Sequence, residues 1–183
     1  MLLRHRLGDS EAFAGLVAGY RRPVYSYLVR CGVSETDRDD LFQEIFIKIH
    51  RAAATYQDDR PLHPWLFTIV ANTVRTYYRK KKVREMVFAD APEPEPQAPD
   101  PDGERLAMAR QTAAWLEQEI HKLPLAQQEV LILTCIESLP QKEVAEVLNL
   151  PINTVKTNLR RARLALIAKL ARHNAIKHGE VPS

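Results

Sequence analysis

Two groups of side chains in this sequence are suited to gripping nucleic acid. The first is Asn153, Lys156, Thr157, Arg160 and Arg161. At 100° per residue, Asn153, Thr157, Arg160, Arg161 and Leu164 lie opposite an apolar stripe of Val155, Leu159, Ala162 and Leu166. Thr154 and Lys156 stand at the margins of that outer face. Arginine can donate two bonds to a guanine edge, and Lys and Thr reach bases or phosphates. The second group is Trp65, Ile69, Asn72, Thr76 and Arg79, spaced three or four residues apart and followed by Lys80, Lys81, Lys82 and Arg84. An aromatic and an amide beside arginine suit single-stranded bases, by stacking and by edge bonding. The basic run suits a phosphate track. The plainer alternatives are a solvated basic helix face in each case, and a core position for Trp65.

Catalysis has no comparable support. The sequence shows no nucleophile motif, no phosphate-cradling loop and no metal-ligand spacing. Its six histidines are scattered, and neither Cys31 nor Cys135 has the close Cys/His spacing of a zinc site. Both cysteines sit in apolar helical patterns and are expected to be buried free thiols in a reducing compartment. No metal, no cofactor and no enzymatic activity are expected. Nor is direct membrane insertion, since no segment approaches the roughly 18 apolar residues of a span. With no signal-like apolar stretch at the N-terminus, the expected location is the cytoplasm.

The elements that carry these groups read as helices throughout, with no alternating strand pattern. Asp9 or Ser10 can cap a helix bearing Phe13, Leu16, Val17 and Tyr20. Pro23 suits the first position of a second helix, with Val24, Tyr27, Leu28 and Cys31 inward and Gly32 as its stop. A third helix opens at Ser34 or Asp37 and carries the stripe Phe42, Ile45, Phe46 and Ile49. Leu41 and Ile47 fall off that stripe, so this helix is apolar on more than one face. Such a helix is either buried or a partner surface. A fourth runs from about Trp65 to Arg79. Helix resumes near Leu106 and ends at Pro124, and another spans Ala126 to Ile136. Two further helices, Gln141 to Leu148 and Asn153 to Leu170, are joined by a tight turn in which Asn149 can turn left-handed. This last pair is a helix-turn-helix, whose second helix starts in the DNA major groove.

Charge divides the chain. Up to Val87 there are fifteen Lys/Arg against ten Asp/Glu. Residues 88–104 hold six acids, five prolines and no base, a composition expected to form an extended, flexible linker. From His121 onward nine bases face five acids. The expected architecture is therefore all-α, with two small helical domains, 1–87 and 105–183, joined by a flexible acidic Pro-rich linker. Two basic modules about an acidic strip point to a polyanionic partner at both ends.

These residues resemble a known family. Asp9-Ser10-Glu11-Ala12-Phe13, Asp40-Leu41-Phe42-Gln43-Glu44-Ile45-Phe46 and Pro64-Trp65-Leu66-Phe67-Thr68-Ile69-Val70-Ala71-Asn72 resemble region 2 of extracytoplasmic-function sigma factors. Leu123-Pro124, Lys142-Glu143-Val144-Ala145 and the stretch from Thr154 to Arg163 resemble region 4. The resemblance spans nearly the whole chain, in order, on both sides of the linker. It implies a subunit that binds core RNA polymerase and directs promoter-specific initiation. Asp40, Leu41, Gln43, Glu44 and Phe46 would dock on the polymerase clamp. Asn72 would line the pocket for a base flipped from the −10 element, with Trp65, Thr76, Arg79 and Lys80 beside it. The helix after Pro124 would meet the polymerase flap, and Asn153, Lys156, Thr157, Arg160 and Arg161 would face the −35 element. The acidic linker would pass through the RNA exit path. An anti-sigma factor is a further implied partner. Two positions depart from the pattern. Leu139-Pro140 stands where a Ser or Thr cap is usual, and Asn153 replaces a common glycine. A helix-turn-helix regulator that is not a polymerase subunit is the alternative, and it explains only the C-terminal half.

Overall fold

The computed structural model describes residues 9–57, 59–87 and 104–177. Seven α-helices and one 3-10 turn occur among them, and no strand. The helices are α1 (Ser10–Arg30), α2 (Glu35–Ala52), α3 (Leu62–Val87), α4 (Glu104–His121), α5 (Leu125–Cys135), α6 (Gln141–Leu148) and α7 (Ile152–Lys177). The acidic Pro-rich stretch lies outside the described residues, apart from Glu104, which opens α4.

Helix α1 starts where Asp9 Oδ1 accepts the Ala12 N–H at 3.0 Å, an N-cap that satisfies one orphan donor. It then runs straight through Pro23, so the expected pair of helices is one. Proline inside a helix forgoes a backbone bond and costs about 3 kcal/mol. Leu16, Val24 and Leu28, on both sides of it, are fully buried. Each such side chain contributes about 1.5–3 kcal/mol by leaving water, so burial outweighs the proline and holds the helix in one piece. Gly32 ends α1 with φ 76°, and the Val33 N–H reaches back to the Leu28 carbonyl at 3.0 Å. That closure needs a left-handed residue, which glycine adopts without strain.

Ser34 begins α2 by donating its hydroxyl to Asp37 Oδ2 at 2.6 Å. Leu41, Ile45, Phe46 and Ile49 all point into the core. The two apolar faces of α2 therefore separate: Leu41 is core, while Ile47 is half exposed to solvent. Helix α3 is longer than its apolar spacing indicates, starting at Leu62 and carrying the basic run as a continuous helix. Pro64 sits in its first turn, where a missing N–H breaks no helical bond.

In the C-terminal half, Pro124 ends one helix and its carbonyl starts the next by accepting from Gln127 and Gln128. Pro140 stands at the N-cap of α6 with no side-chain cap, as its sequence implies. Asn149 then takes the left-handed conformation (φ 50°, ψ 52°), and Leu150 N–H bonds the Ala145 carbonyl at 2.9 Å. This closed turn sets α6 and α7 as a helix-turn-helix. Cys31 is buried as expected, but Cys135, at the end of α5, is exposed. Its neighbours Val130 to Leu133 fill the core, and the α5 stripe has turned away by the time it reaches Cys135.

The two halves share one apolar core. Helix α6 packs across α3, and α1 touches α4 and α5. Polar bonds close the seam, and the best-formed of them centres on Arg75 of α3.

Candidate nucleic-acid interface

Helix α7 is positioned by three side chains. Val155, Leu159 and Ala162 are each at most 3% exposed and pack onto α5 and α6. Burying that stripe turns the opposite side outward, and Asn153, Thr154, Lys156, Thr157, Arg160 and Arg161 are all exposed. Among the described residues Lys156, Arg160 and Arg161 enter no ion pair, so their charges are free to meet an external anion. Arg163 differs, because its Nη2 turns back to Cys135 Sγ at 3.5 Å. The next two turns of the helix change character. Leu164 and Ile167 are more than half exposed, so a basic face runs into an apolar one.

The second group lies on α3. Leu66, Val70, Thr73 and Val74 are buried, and α3 packs against α2 and α6. Asn72, Arg79 and Lys80 are exposed. Trp65 is half-buried, with its ring centroid 4.9 Å from that of Tyr56. Trp65 packs against the core and keeps part of its surface open to solvent. Thr76 donates to the Asn72 carbonyl at 2.8 Å, which seats its hydroxyl on the helix. Ile69 is half-buried on the same face.

Between α2 and α3 lies a cleft of about 190 Å³ lined by Asp37, Asp40, Leu41, Glu44, Tyr77 and Lys80, among others. Its acids come from α2 and its bases from α3. The Ser34 hydroxyl and then the Tyr77 hydroxyl, at 2.7 Å, hold the Asp37 carboxyl below its usual range. Of the five residues expected on the polymerase-facing surface, Asp40 and Gln43 are exposed, and Glu44 is half-buried and paired with Lys48 at 2.7 Å. Leu41 and Phe46 are 5% and 6% exposed, so they support the helix from beneath rather than offering a free surface. The exposed apolar side chain on α2 is Ile47. In α5, Gln128 to Leu133 are buried, which leaves only the ends of that helix open to a partner.

Sequence reasoning missed the polar seam between the halves. Arg75 Nε donates to both oxygens of Glu129, at 2.9 and 3.0 Å, and its Nη1 donates to the Leu148 carbonyl at 2.7 Å. Glu129 is 1% exposed, and burial raises its carboxyl above the usual value despite the Arg75 charge. The available signal was an acid directly before the apolar run Val130–Leu133 of α5, which does not say which residue it pairs with. Among the described residues no cluster of His, Cys, Asp and Glu could hold a metal ion. No described helix is long and apolar enough to cross a membrane.

Comparison with known proteins agrees with this layout. A family model for sigma-70 region 2 matches residues 16–84, and one for sigma-70 region 4 matches residues 113–166. The RNA polymerase sigma factor CnrH of Cupriavidus metallidurans is 33% identical over 169 residues, covering 89% of this chain and 88% of that protein. The ECF RNA polymerase sigma factor SigW of Bacillus subtilis is 29% identical over 182 residues, covering 93% of this chain and 97% of SigW. Among solved structures, CnrH in complex with the cytosolic domain of CnrY superposes with a TM-score of 0.67 at 27% identity, over 93% of this chain and 95% of that one. The sigma factor RpoE of Bartonella quintana, in complex with the anti-sigma factor NepR, shares the fold, with a TM-score of 0.72 at 21% identity over 88% of this chain and 98% of that one.

Proposed function

The chain belongs to the extracytoplasmic-function sigma factors of the sigma-70 family and directs transcription initiation by RNA polymerase, and on that premise we propose which of its surfaces meet which partners. The start of α7 reads the −35 element in the major groove. Lys156, Thr157, Arg160 and Arg161 are the contacting residues, and Asn153 sits at the helix entrance. One observation carries this reading: burial of Val155, Leu159 and Ala162 turns those side chains outward, just after a left-handed turn, with Lys156, Arg160 and Arg161 in no ion pair among the described residues.

On α3, Asn72 holds a base flipped from the −10 element, with Trp65 as a stacking edge and Thr76 beside it. Arg79 and Lys80 neutralise the neighbouring phosphates. Helix α2 docks on the polymerase clamp through Asp40, Gln43, Glu44 and Ile47, with Leu41 and Phe46 fixing its position from the core. The exposed ends of α5 meet the flap. The units behind this division are 1–87, the acidic stretch 88–104 and 105–183. The acidic stretch follows the RNA exit path, its carboxylates taking the place of RNA phosphates. The polymerase supplies the chemistry, and this chain supplies no catalytic group. It works in the cytoplasm, where polymerase and promoter are. CnrH was solved bound to the cytosolic domain of CnrY. An inhibitory protein, an anti-sigma factor, is the corresponding partner here.

Genomic DNA selected by the reconstituted holoenzyme gives the promoter sequence, and substitutions within its −35 element then test α7. Loss of a base-reading arginine costs about 1–3 kcal/mol and relaxes preference at one position. An Arg160→Ala, Arg161→Ala variant with unchanged affinity and unchanged selection would remove α7 from the interface.

A further inference from the structure

The outer side of α1 carries a groove that neither DNA-facing surface uses. It is about 700 Å³ in volume and is lined by Ala18, Arg21, Arg22, Tyr25 and Ser26 of α1 and by Asp39 of α2. Small-molecule sites occupy a similar range, about 300–1,000 Å³. At 100° per residue, Arg21 and Arg22 project to either side of the line from Ala18 to Tyr25, so two guanidiniums straddle a floor made by one methyl group. Both arginines are exposed and, among the described residues, neither enters an ion pair. Tyr25 is half-buried. Its ring centroid lies 6.3 Å from that of Phe42, which packs in turn on Phe46 at 4.7 Å. The ring is therefore backed from beneath while part of it faces the groove. Helices α1 and α2 run antiparallel, with Phe13 against His50 and Tyr25 against Phe42. Asp39, nearly one turn before Phe42, thus lies beyond Tyr25 on the side away from Arg21. Pro23 has no N–H to give, so the Gly19 carbonyl receives no helical bond from it, which leaves a backbone acceptor beside the arginines.

The order of these groups sets what the groove accepts. At one end, the arginines favour an anion with several oxygens, which each fork can grip through two N–H groups. In the middle, Tyr25 offers a ring face. At the far end Asp39, exposed and in no ion pair among the described residues, repels an anion and accepts from N–H or O–H donors. A bare phosphate is too small for the volume and leaves Tyr25 and Asp39 unused. Phosphates, a flat ring and hydrogen-bond donors, in that order, describe a nucleotide. We propose that the α1 groove binds a nucleoside triphosphate, with Arg21 and Arg22 on the phosphates, Tyr25 against the base and Asp39 accepting from the donors at the far end. The site bears on assembly as well. Asp39 and Gln43 are one turn apart on α2, so a ligand in the groove stands against the clamp-docking surface, and ligand and polymerase compete there. Such competition is reciprocal, since each partner lowers the affinity of the other by the same factor. This consequence rests on the assignment of Gln43 to the clamp.

Isothermal titration calorimetry of the full chain with GTP and with ATP, magnesium present, tests the site. At least one of the two is expected to bind with a Kd well below about 1 mM. Guanosine or adenosine alone, and inorganic triphosphate, each lack one half of the ligand and are expected to bind at least tenfold more weakly. Arg21 and Arg22 are exposed, so Arg21→Ala and Arg22→Ala are expected to leave Tm unchanged and to weaken nucleotide binding about tenfold each. Tyr25→Leu keeps an apolar contact with Phe42 and is expected to weaken nucleotide but not inorganic triphosphate. Saturating nucleotide is expected to lower the affinity for core polymerase several-fold in the wild type and not in Arg21→Ala. No binding of either nucleotide below about 1 mM, inorganic triphosphate bound as tightly as nucleotide, or arginine variants that match the wild type would each overturn the proposal. Loss of binding in Arg160→Ala with Arg161→Ala, and not in the α1 variants, would place the ligand on α7 and overturn it too. Polymerase affinity unchanged by bound nucleotide would overturn the competition. A Gln43→Ala variant with full polymerase affinity would instead overturn the clamp assignment, and calorimetry would still report on the groove.

Discussion

Replacing Asn149 isolates the backbone's contribution to the helix-turn-helix. The residue is exposed, and its side chain makes no hydrogen bond among those described, so substitution removes no packing. What it changes is the cost of φ 50°, ψ 52°. A residue with a Cβ in the left-handed region is strained by about 1–2 kcal/mol, and a β-branched residue sits at the upper end. The chain can avoid that strain only by giving up the bonds from Asn149 N–H to Glu146 O (3.1 Å) and from Leu150 N–H to Ala145 O (2.9 Å). Two backbone bonds at about 1 kcal/mol each set a similar ceiling. Asn149→Val should therefore cost about 2 kcal/mol by either route, and Asn149→Gly should be near neutral. In a protein of this size that corresponds to a loss of roughly 4–8 °C in Tm for the valine variant. Thermal unfolding followed by circular dichroism measures it. Because the turn also sets the angle of α7, affinity for −35 DNA should fall with Tm. A valine variant with wild-type Tm and wild-type affinity would show that the left-handed turn does not position the recognition helix.

On α2, Gln43→Ala and Ile47→Ala should weaken binding to core polymerase with Tm unchanged, whereas Leu41→Ala and Phe46→Ala should lower stability by about 2–5 kcal/mol; the reverse pattern would place the docking surface elsewhere. Burial lowers the pKa of both His63 and His121 at the seam. A depressed histidine favours its neutral form in the docked state, so this contribution is present above the usual histidine value and is lost as pH falls through it. Tyr20, Glu137 and Glu143 surround His63, and Glu137, itself raised by burial, pulls the other way only nearer the carboxylate range. Tm should therefore fall between pH 7.5 and pH 6, and His63→Gln should flatten the fall; a Tm that rises on acidification would contradict the sign. Changing Glu93, Glu95, Asp100 and Asp102 to their amides should weaken the holoenzyme most at low salt; identical salt curves would leave that stretch as a tether.

What could be read from the sequence depended on range. The α7 stripe of Val155, Leu159 and Ala162 is a local pattern, and so is the Asn149 turn, and both lie where spacing put them. Pro23 misled because a local breaking signal lost to burial on both sides of it, and that balance is set by helices far away in the chain. Leu41 and Ile47 looked alike off the α2 stripe, and only the placement of the surrounding helices separates core from surface. Cys135 failed for a similar reason: an apolar neighbourhood in sequence is not a buried position once a helix ends. The Arg75–Glu129 bond joins residues 54 apart, and no periodicity encodes such a pairing.

Promoter-directed initiation is best tested by run-off transcription with purified core polymerase, on a template chosen by genomic selection. Core polymerase alone should give no specific transcript, and adding the wild-type chain should give one defined start. Asn72→Ala should reduce that transcript by impairing opening at the −10 element, and Arg160→Ala with Arg161→Ala should reduce it by impairing −35 binding, each in a folded protein. A specific transcript of equal yield from all three proteins would contradict the placement of both faces, and no specific transcript with the wild type on any selected template would contradict the role of the chain itself.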